Sequence, residues 1–147
     1  MSQSTVQTEV SINNTPEAVI GYVADVNNRL LFMPSLKSIS DIEGEASAVG
    51  TTWRWKWVML GVEFEGAGRY LEHMPGQQYS FTTEGGITST FSFKATATDD
   101  GTHLAIRVDF DVPESLLSNL GLESLLASLK KGDADQAAQN LKVILED

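Results

Sequence analysis

Cysteine is absent from the 147 residues. Disulfides, thiolate metal sites and a cysteine nucleophile are therefore excluded. Cations are scarce: Lys plus Arg is 10 against 20 for Asp plus Glu, a formal net charge of −10. Neutralising phosphates takes a basic surface, so no nucleic-acid partner is expected. Docking onto anionic lipid is disfavoured for the same reason. Apolar runs are short, none near the roughly 18 residues of a membrane span, so stable membrane insertion is not expected. The opening MSQSTVQTEV lacks the basic-then-apolar layout of a secretion signal, and the expected compartment is the cytoplasm. Asn13-Asn14-Thr15 spells a glycosylation triplet, but without such a signal it reads as a turn.

What is present suits a globular core. Hydrophobic residues are 41% and charged residues 20% of the chain, and the length fits one domain over 1–147. Val6, Thr8, Val10 and Ile12 alternate with polar residues, a strand pattern. Thr15 then suits an N-cap and Pro16 the first helical position. Ala18, Val19, Tyr22, Val23 and Val26 recur at helical spacing. Arg29 to Met33 reads as a second short helix stopped by Pro34.

Strand patterns follow over 36–43, 51–59, 62–73, 78–84, 88–98 and 102–112. Turn chemistry separates them: Gly44 to Gly50, Leu60-Gly61, Pro75-Gly76, Gly85-Gly86 and Asp99-Asp100-Gly101. Such short connections imply antiparallel neighbours. From Pro113 the period is helical again, through Leu122, Leu125, Leu126 and Leu129 to Ala137, Leu141, Ile144 and Leu145. Gly132 lies inside that helix and invites a kink. The order is strand, two helices, six strands, long helix: an α+β layer and not a doubly wound sheet.

The hairpin over 51–70 carries the most information. Trp53, Trp55, Trp57 and Met59 share one strand face, with Arg54, Lys56 and Val58 on the other. A two-residue turn at Leu60-Gly61 pairs Met59 with Val62, Trp57 with Phe64, Trp55 with Gly66 and Trp53 with Gly68. On the opposite face Lys56 meets Glu65 and Val58 meets Glu63. Apolar thus meets apolar and cation meets carboxylate, and a one-residue slip destroys both. Gly66 and Gly68 remove volume where their neighbours are largest, and let the strand bend.

The aromatic face continues through Tyr70, Tyr79, Phe81, Phe91, Phe93 and Phe110. Ten of the twelve aromatics lie between Trp53 and Phe110, so the sheet holds the aromatic surface. Two readings stay open, an ordinary aromatic core or the wall of a ligand cavity. An empty cavity of roughly 300 Å3 costs about 7 kcal/mol, so a real one holds water, holds a ligand, or is partly collapsed.

Several local texts resemble one known family. Thr15-Pro16-Glu17-Ala18-Val19 through Ala24-Asp25-Val26 looks like its opening helix. Met33-Pro34-Ser35-Leu36 looks like its second helix running into strand two, and Val49-Gly50-Thr51-Thr52-Trp53 like its entry to strand three. Asp133-Ala134-Asp135-Gln136-Ala137 through Asn140-Leu141-Lys142 resembles its closing helix. Together with the element order, these resemble the START-like helix-grip fold of the SRPBCC superfamily, which includes polyketide cyclase/dehydrase and lipid-transport proteins. Phe32 departs from the pattern, where many members carry Trp. The resemblance implies a seven-stranded curved antiparallel sheet wrapped around a long C-terminal helix, with two short helices after strand 1. It also implies a cavity for a small hydrophobic or amphipathic molecule, and it fixes fold better than function.

Catalytic candidates are weak. His103 follows a hairpin turn and His73 sits near a sheet rim; a third metal ligand to join them is missing. Glu63, Glu65 and Arg69, like Arg107, Asp109 and Asp111, read as solvated charged faces. Asp133 and Asp135 lack the remaining spacing of a calcium loop and read as restarting a helix after Gly132. Gly85-Gly86 lacks the Lys and Ser/Thr of a phosphate loop. Tyr70 is the polar-tipped residue placed to orient a ligand carbonyl.

The expected site is therefore apolar: Trp53, Trp55, Trp57, Phe64, Gly66, Gly68, Tyr70, Phe81, Phe91 and Phe93, closed by Leu122, Leu125, Leu126 and Leu129. No catalytic residue, metal or cofactor is assigned. The first functional reading is binding of a lipid-, polyketide- or quinone-like molecule. A cyclase/dehydratase-type enzyme on such a ligand is the second. An acidic interaction module, a chaperone cofactor or accessory subunit with a protein partner, is the third.

Overall fold

The computed structural model of the chain describes residues 2–44, 50–59, 62–84, 88–112 and 122–146. The strands are β1 (Ser2–Ile12), β2 (Leu36–Glu43), β3 (Thr52–Met59), β4 (Val62–Met74), β5 (Gln78–Glu84), β6 (Ser89–Thr98) and β7 (Gly101–Val112). They form one antiparallel sheet in the order β1-β7-β6-β5-β4-β3-β2. Each strand from β2 to β7 pairs with its chain neighbour, as short turns require. The first strand closes the order against the last, pairing Val6 with Val108 and Ile12 with Thr102.

Between β1 and β2 lie helices α1 (Pro16–Ala24) and α2 (Arg29–Phe32), joined by a 3-10 turn at Val26–Asn28. Thr15 caps α1 by accepting the Ala18 N–H at 3.2 Å. Asp25 ends that helix and starts the next turn, its carboxylate accepting the Asn27 N–H at 2.9 Å. The buried stripe of α1 is Val19, Ile20, Val23 and Ala24. Ala18 is exposed and Tyr22 half-buried, so the stripe lies one position away from the expected one. The cause is the partner: α1 packs across β5 and β6, and that contact selects the 19/20/23/24 face.

The long helix α3 (Leu122–Leu145) runs unbroken through Gly132. The restart expected after Gly132 does not occur; Asp133 and Asp135 sit in mid-helix, where Asp133 meets Ser35 and Asp135 meets Lys131. Its sheet-facing stripe is Lys130, Ala134, Ala137, Ala138 and Leu141, all buried, a spacing of 4, 7, 8 and 11 from the first. Alanines let the helix lie close on β1 and β7. Polar ties hold its C-terminal end. Asn14 Nδ2 donates to the Leu145 carbonyl at 2.7 Å, and Lys142 Nζ to the Ser11 carbonyl at 2.7 Å. Asn140 Nδ2 reaches the Phe32 carbonyl at 3.1 Å and ties α3 to α2. The architecture is the helix-grip arrangement expected from the sequence, with the curved sheet folded around α3.

Candidate functional site: an aromatic cavity with two buried cations

The β3–β4 ladder has the register read from the hairpin: Trp53 opposite Gly68, Trp55 opposite Gly66, Trp57 opposite Phe64 and Lys56 opposite Glu65. The three indoles are buried, while Arg54, Lys56, Glu63, Glu65 and Arg69 face solvent. Among the described residues no ion pair closes between those outer charges, so that face is solvated rather than bridged. The expected turn residues Leu60 and Gly61, and the Gly85-Gly86 pair, lie outside the described residues.

The two glycines are seats for indoles. A Cβ on Gly68 would stand 2.7 Å from Trp53 Nε1, and one on Gly66 would stand 2.8 Å from Trp55 Cζ2. Real carbon contacts do not reach those distances, so only glycine leaves room for the Trp53 ring at Gly68, and at Gly66 for both the Trp55 ring and the Glu84 carbonyl of β5. Trp55 Nε1 donates to the Ala67 carbonyl at 2.9 Å, which fixes its ring. Trp53 meets Tyr70 and Phe81 edge-on, at 5.2 and 5.5 Å between ring centres. Phe81 stacks on Phe91 at 4.7 Å, within the usual range for aromatic pairs.

Between this wall, α2 and α3 is a narrow cavity with about 450 Å3 of atom-free space, part of it open to solvent. The enclosed room for water-sized groups is only about 30 Å3, space for about two waters. At the cavity cost of roughly 24 cal/mol per Å3, that enclosed part costs about 0.7 kcal/mol. Of the sequence-predicted residues, Trp53, Trp55, Trp57, Phe64, Phe81 and Phe91 line it. Phe93 lines an adjoining cavity, which shares Met33, Trp57, Phe91 and Lys130 with the first. Tyr70 lines neither. It sits behind Trp53 and donates its hydroxyl to the Ala24 carbonyl, so the carbonyl-orienting role expected of it is filled by the chain's own backbone. The side chains of Leu122, Leu125, Leu126 and Leu129 lie outside the described residues.

The sequence reading missed the cavity's two charges. Arg29 of α2 is 2% exposed. Its Nη2 donates to Tyr79 Oη at 2.5 Å and to the Val23 carbonyl at 3.3 Å. Its guanidinium carbon lies 4.1 Å from the centre of the Phe81 ring and 5.2 Å from that of Trp53. Nε and Nη1 have no acceptor among the described residues. Burial pushes the Tyr79 phenol well above its ordinary value, against the pull of Arg29, so Tyr79 stays neutral. Lys130 of α3 is 5% exposed. Its ammonium lies 4.8 Å from the Trp57 ring centre and 5.6 Å from those of Phe91 and Phe110. Burial lowers it to about 8, with Asp133 pulling the other way. Asp133 accepts from Ser35 Oγ at 2.6 Å and lines the adjoining cavity. Burial raises its carboxyl, opposed by Ser35 and Lys130.

One signal in the sequence pointed to Lys130. It falls four residues before Ala134 and seven before Ala137, squarely on the apolar stripe. Arg29 had a fainter one, three and four residues before Phe32 and Met33, both buried beside it. The remaining candidates stand apart from the cavity. His103 pairs with Glu9 at 3.2 Å and Arg107 with Asp109 at 3.1 Å. His73 packs edge-on against Tyr79 at 6.2 Å. Among the described residues no three His, Asp or Glu side chains form a metal-holding group.

Residues 3–146 match the sequence profile of the family described as polyketide cyclase/dehydrase and lipid transport. The chain belongs to that family. No curated protein sequence matches it. Solved structures do match in shape. A Thermus thermophilus protein superposes with a TM-score of 0.83 at 17% identity, over 97% of each chain. The Zhui aromatase/cyclase of a Streptomyces species follows at 0.79 and 14%, over 99% of this chain and 94% of its own. The di-domain aromatase/cyclase StfQ of the steffimycin biosynthetic pathway gives 0.77 and 12%, over 98% of this chain and 51% of its own. At such identities the likeness establishes the helix-grip fold of this family member and leaves its chemistry to its own residues. Among those residues no described helix is long and apolar enough to cross a membrane.

Proposed function

We propose that this family member binds a small hydrophobic or amphipathic molecule in the cavity between the curved sheet and α3. The observation that carries the reading is the wall itself: three buried indoles, two of them seated opposite glycines, all lining the cavity. Apolar burial of about 25 cal/mol per Å2 supplies the affinity. The enclosed room is small without a ligand, so binding opens the cavity by moving its lining. N-phenyl-1-naphthylamine, a neutral fluorescent probe, tests this directly. It is expected to brighten on titration with the protein, and Trp55→Ala is expected to weaken the binding at least tenfold. Unchanged affinity in the folded variant rejects the site.

A second reading is a cyclase/dehydratase-type enzyme. The observation favouring it is the Lys130–Asp133 pair. Burial lowers the cation and raises the acid, so both move toward neutral pH beside the adjoining cavity, the tuning that proton transfer needs. Turnover of a poly-β-ketone thioester, lost in Lys130→Met and in Asp133→Asn, supports this reading; no turnover leaves the binding protein.

A further inference from the structure

The cavity lined by Trp53, Trp55 and Trp57 has a one-sided polarity. Among the described residues Arg29 and Lys130 are the charged ones in its lining, and no carboxylate joins them there. This holds in a chain with twice as many acids as bases. Among the described residues the buried side-chain nitrogens and oxygens without a partner are Arg29 Nε, Arg29 Nη1 and Trp57 Nε1. All three are donors. Lys130 Nζ has ring faces at 4.8 to 5.6 Å and no hydrogen bond or ion pair among the described residues. Asp133 lies beyond ion-pair distance and already accepts from Ser35.

Buried charges are ordinarily paired, because leaving one unpaired costs several kcal/mol. Contact with aromatic faces returns only part of that, about 0.5–2 kcal/mol. Three buried donors on Arg29 and Trp57, with no acceptor among the described residues, and the Lys130 ammonium against ring faces in the same lining suit an anionic ligand. Resting on the binding reading above, we infer that the cavity's ligand is an apolar, ring-sized body carrying one anionic group, a carboxylate, which Arg29, Lys130 and Trp57 receive. The aromatic wall of β3, β5 and β6 takes the body, and the charged end lies toward α2 and α3. Among the described residues the charge acting on Lys130 is Asp133 on its own helix, while Arg29 shares the cavity lining from α2. From the sheet it meets uncharged rings on β3, β6 and β7. A bound carboxylate favours the protonated amine, so affinity falls as pH rises past about 8.

The test uses two molecules of one shape, 2-naphthoate and 2-naphthylmethanol, titrated into the full chain by calorimetry at pH 7. The acid is expected to bind at least tenfold more tightly than the alcohol. Lys130→Met is expected to erase most of that ratio by weakening the acid, and Lys130→Arg to keep it. Lys94→Met, on the exposed face of β6, removes the same net charge and is expected to change neither affinity. Equal binding of acid and alcohol, or an equal ratio in Lys130→Met, overturns the anion inference and leaves the apolar cavity standing. Binding of neither molecule overturns the binding reading itself, and this inference with it.

Discussion

The ammonium of Lys130 lies 4.8 Å from the centre of the Trp57 ring, and the indole N–H of that same ring has no acceptor among the described residues. A cation and a donor thus stand together in an apolar space, and the folded chain carries the cost. That cost depends on pH. In the folded chain burial lowers the ammonium to about 8, against 10.5 ordinarily. Between those values the unfolded chain holds the extra proton, so stability rises with pH across the window. Urea unfolding is expected to show a gain on the order of 2 kcal/mol from pH 8 to 10, absent in Lys130→Met. Above the ordinary tyrosine value of 10, the raised phenols of Tyr70 and Tyr79 act in the opposite direction. A wild-type midpoint that is flat or falling from pH 8 to 10 contradicts the burial of Lys130.

Two glycines separate by environment. On Gly68 a methyl meets the Trp53 indole, whereas on Gly132, in the exposed middle of α3, it meets nothing within 4 Å. Gly68→Ala is expected to cost about 1–3 kcal/mol by overpacking and to change the near-ultraviolet tryptophan dichroism. Gly132→Ala is expected to gain up to about 1 kcal/mol by helix propensity alone. Thermal midpoints moving in opposite directions support the assignment. A stabilising Gly68→Ala rejects the idea that Gly68 seats the indole.

Tyr79 supplies the side-chain acceptor that Arg29 uses. Tyr79→Phe removes that oxygen and keeps the ring, so the guanidinium gains another unpaired donor. The expected cost is about 1–3 kcal/mol in urea unfolding. Tyr22→Phe is the control, since Tyr22 is half-buried and meets Phe32 ring to ring at 6.1 Å; its change is expected within about 0.5 kcal/mol. Equal effects of the two substitutions contradict the structural role of the Arg29–Tyr79 bond.

The sheet was legible because its signals are local. Turn residues and period-2 alternation set the limits of β2 to β7 to within a residue: β2 and β5 have the expected ends and β3 starts one residue later, whereas β1 reaches back to Ser2, before the alternation read from Val6. Matching apolar and charged faces set the Trp53–Gly68 register. The aromatic wall followed, since alternation places side chains on a face without tertiary knowledge. The cations were hidden because charge ordinarily signals solvent. Lys130 was read by its type, when its position on the Ala134–Ala137–Leu141 stripe placed it inside. Tyr70 failed the other way: its face was right, but the chain before Asp25 returned to take its hydroxyl. The unbroken α3 shows the same limit. One glycine weakens a helix by about 1 kcal/mol, less than its packing on β1 and β7 supplies.

Ser35 and Asp133 stand 98 residues apart in sequence and are joined at 2.6 Å. Their bond ties the start of β2 to α3 beside the adjoining cavity, which Asp133 lines. Burial raises the Asp133 carboxyl, and Ser35 is the larger of the two forces drawing it back, ahead of Lys130. Ser35→Ala therefore raises it further, which carbon-13 NMR of labelled aspartate reads as a titration midpoint displaced upward. A carboxyl raised by folding holds its proton longer folded than unfolded. Its contribution is complete at low pH and is lost as pH rises through the folded midpoint. Ser35→Ala is thus expected to cost about 1 kcal/mol near neutral pH and less below pH 4. An unmoved Asp133 midpoint, or a loss independent of pH, shows that the hydroxyl does not support the carboxylate.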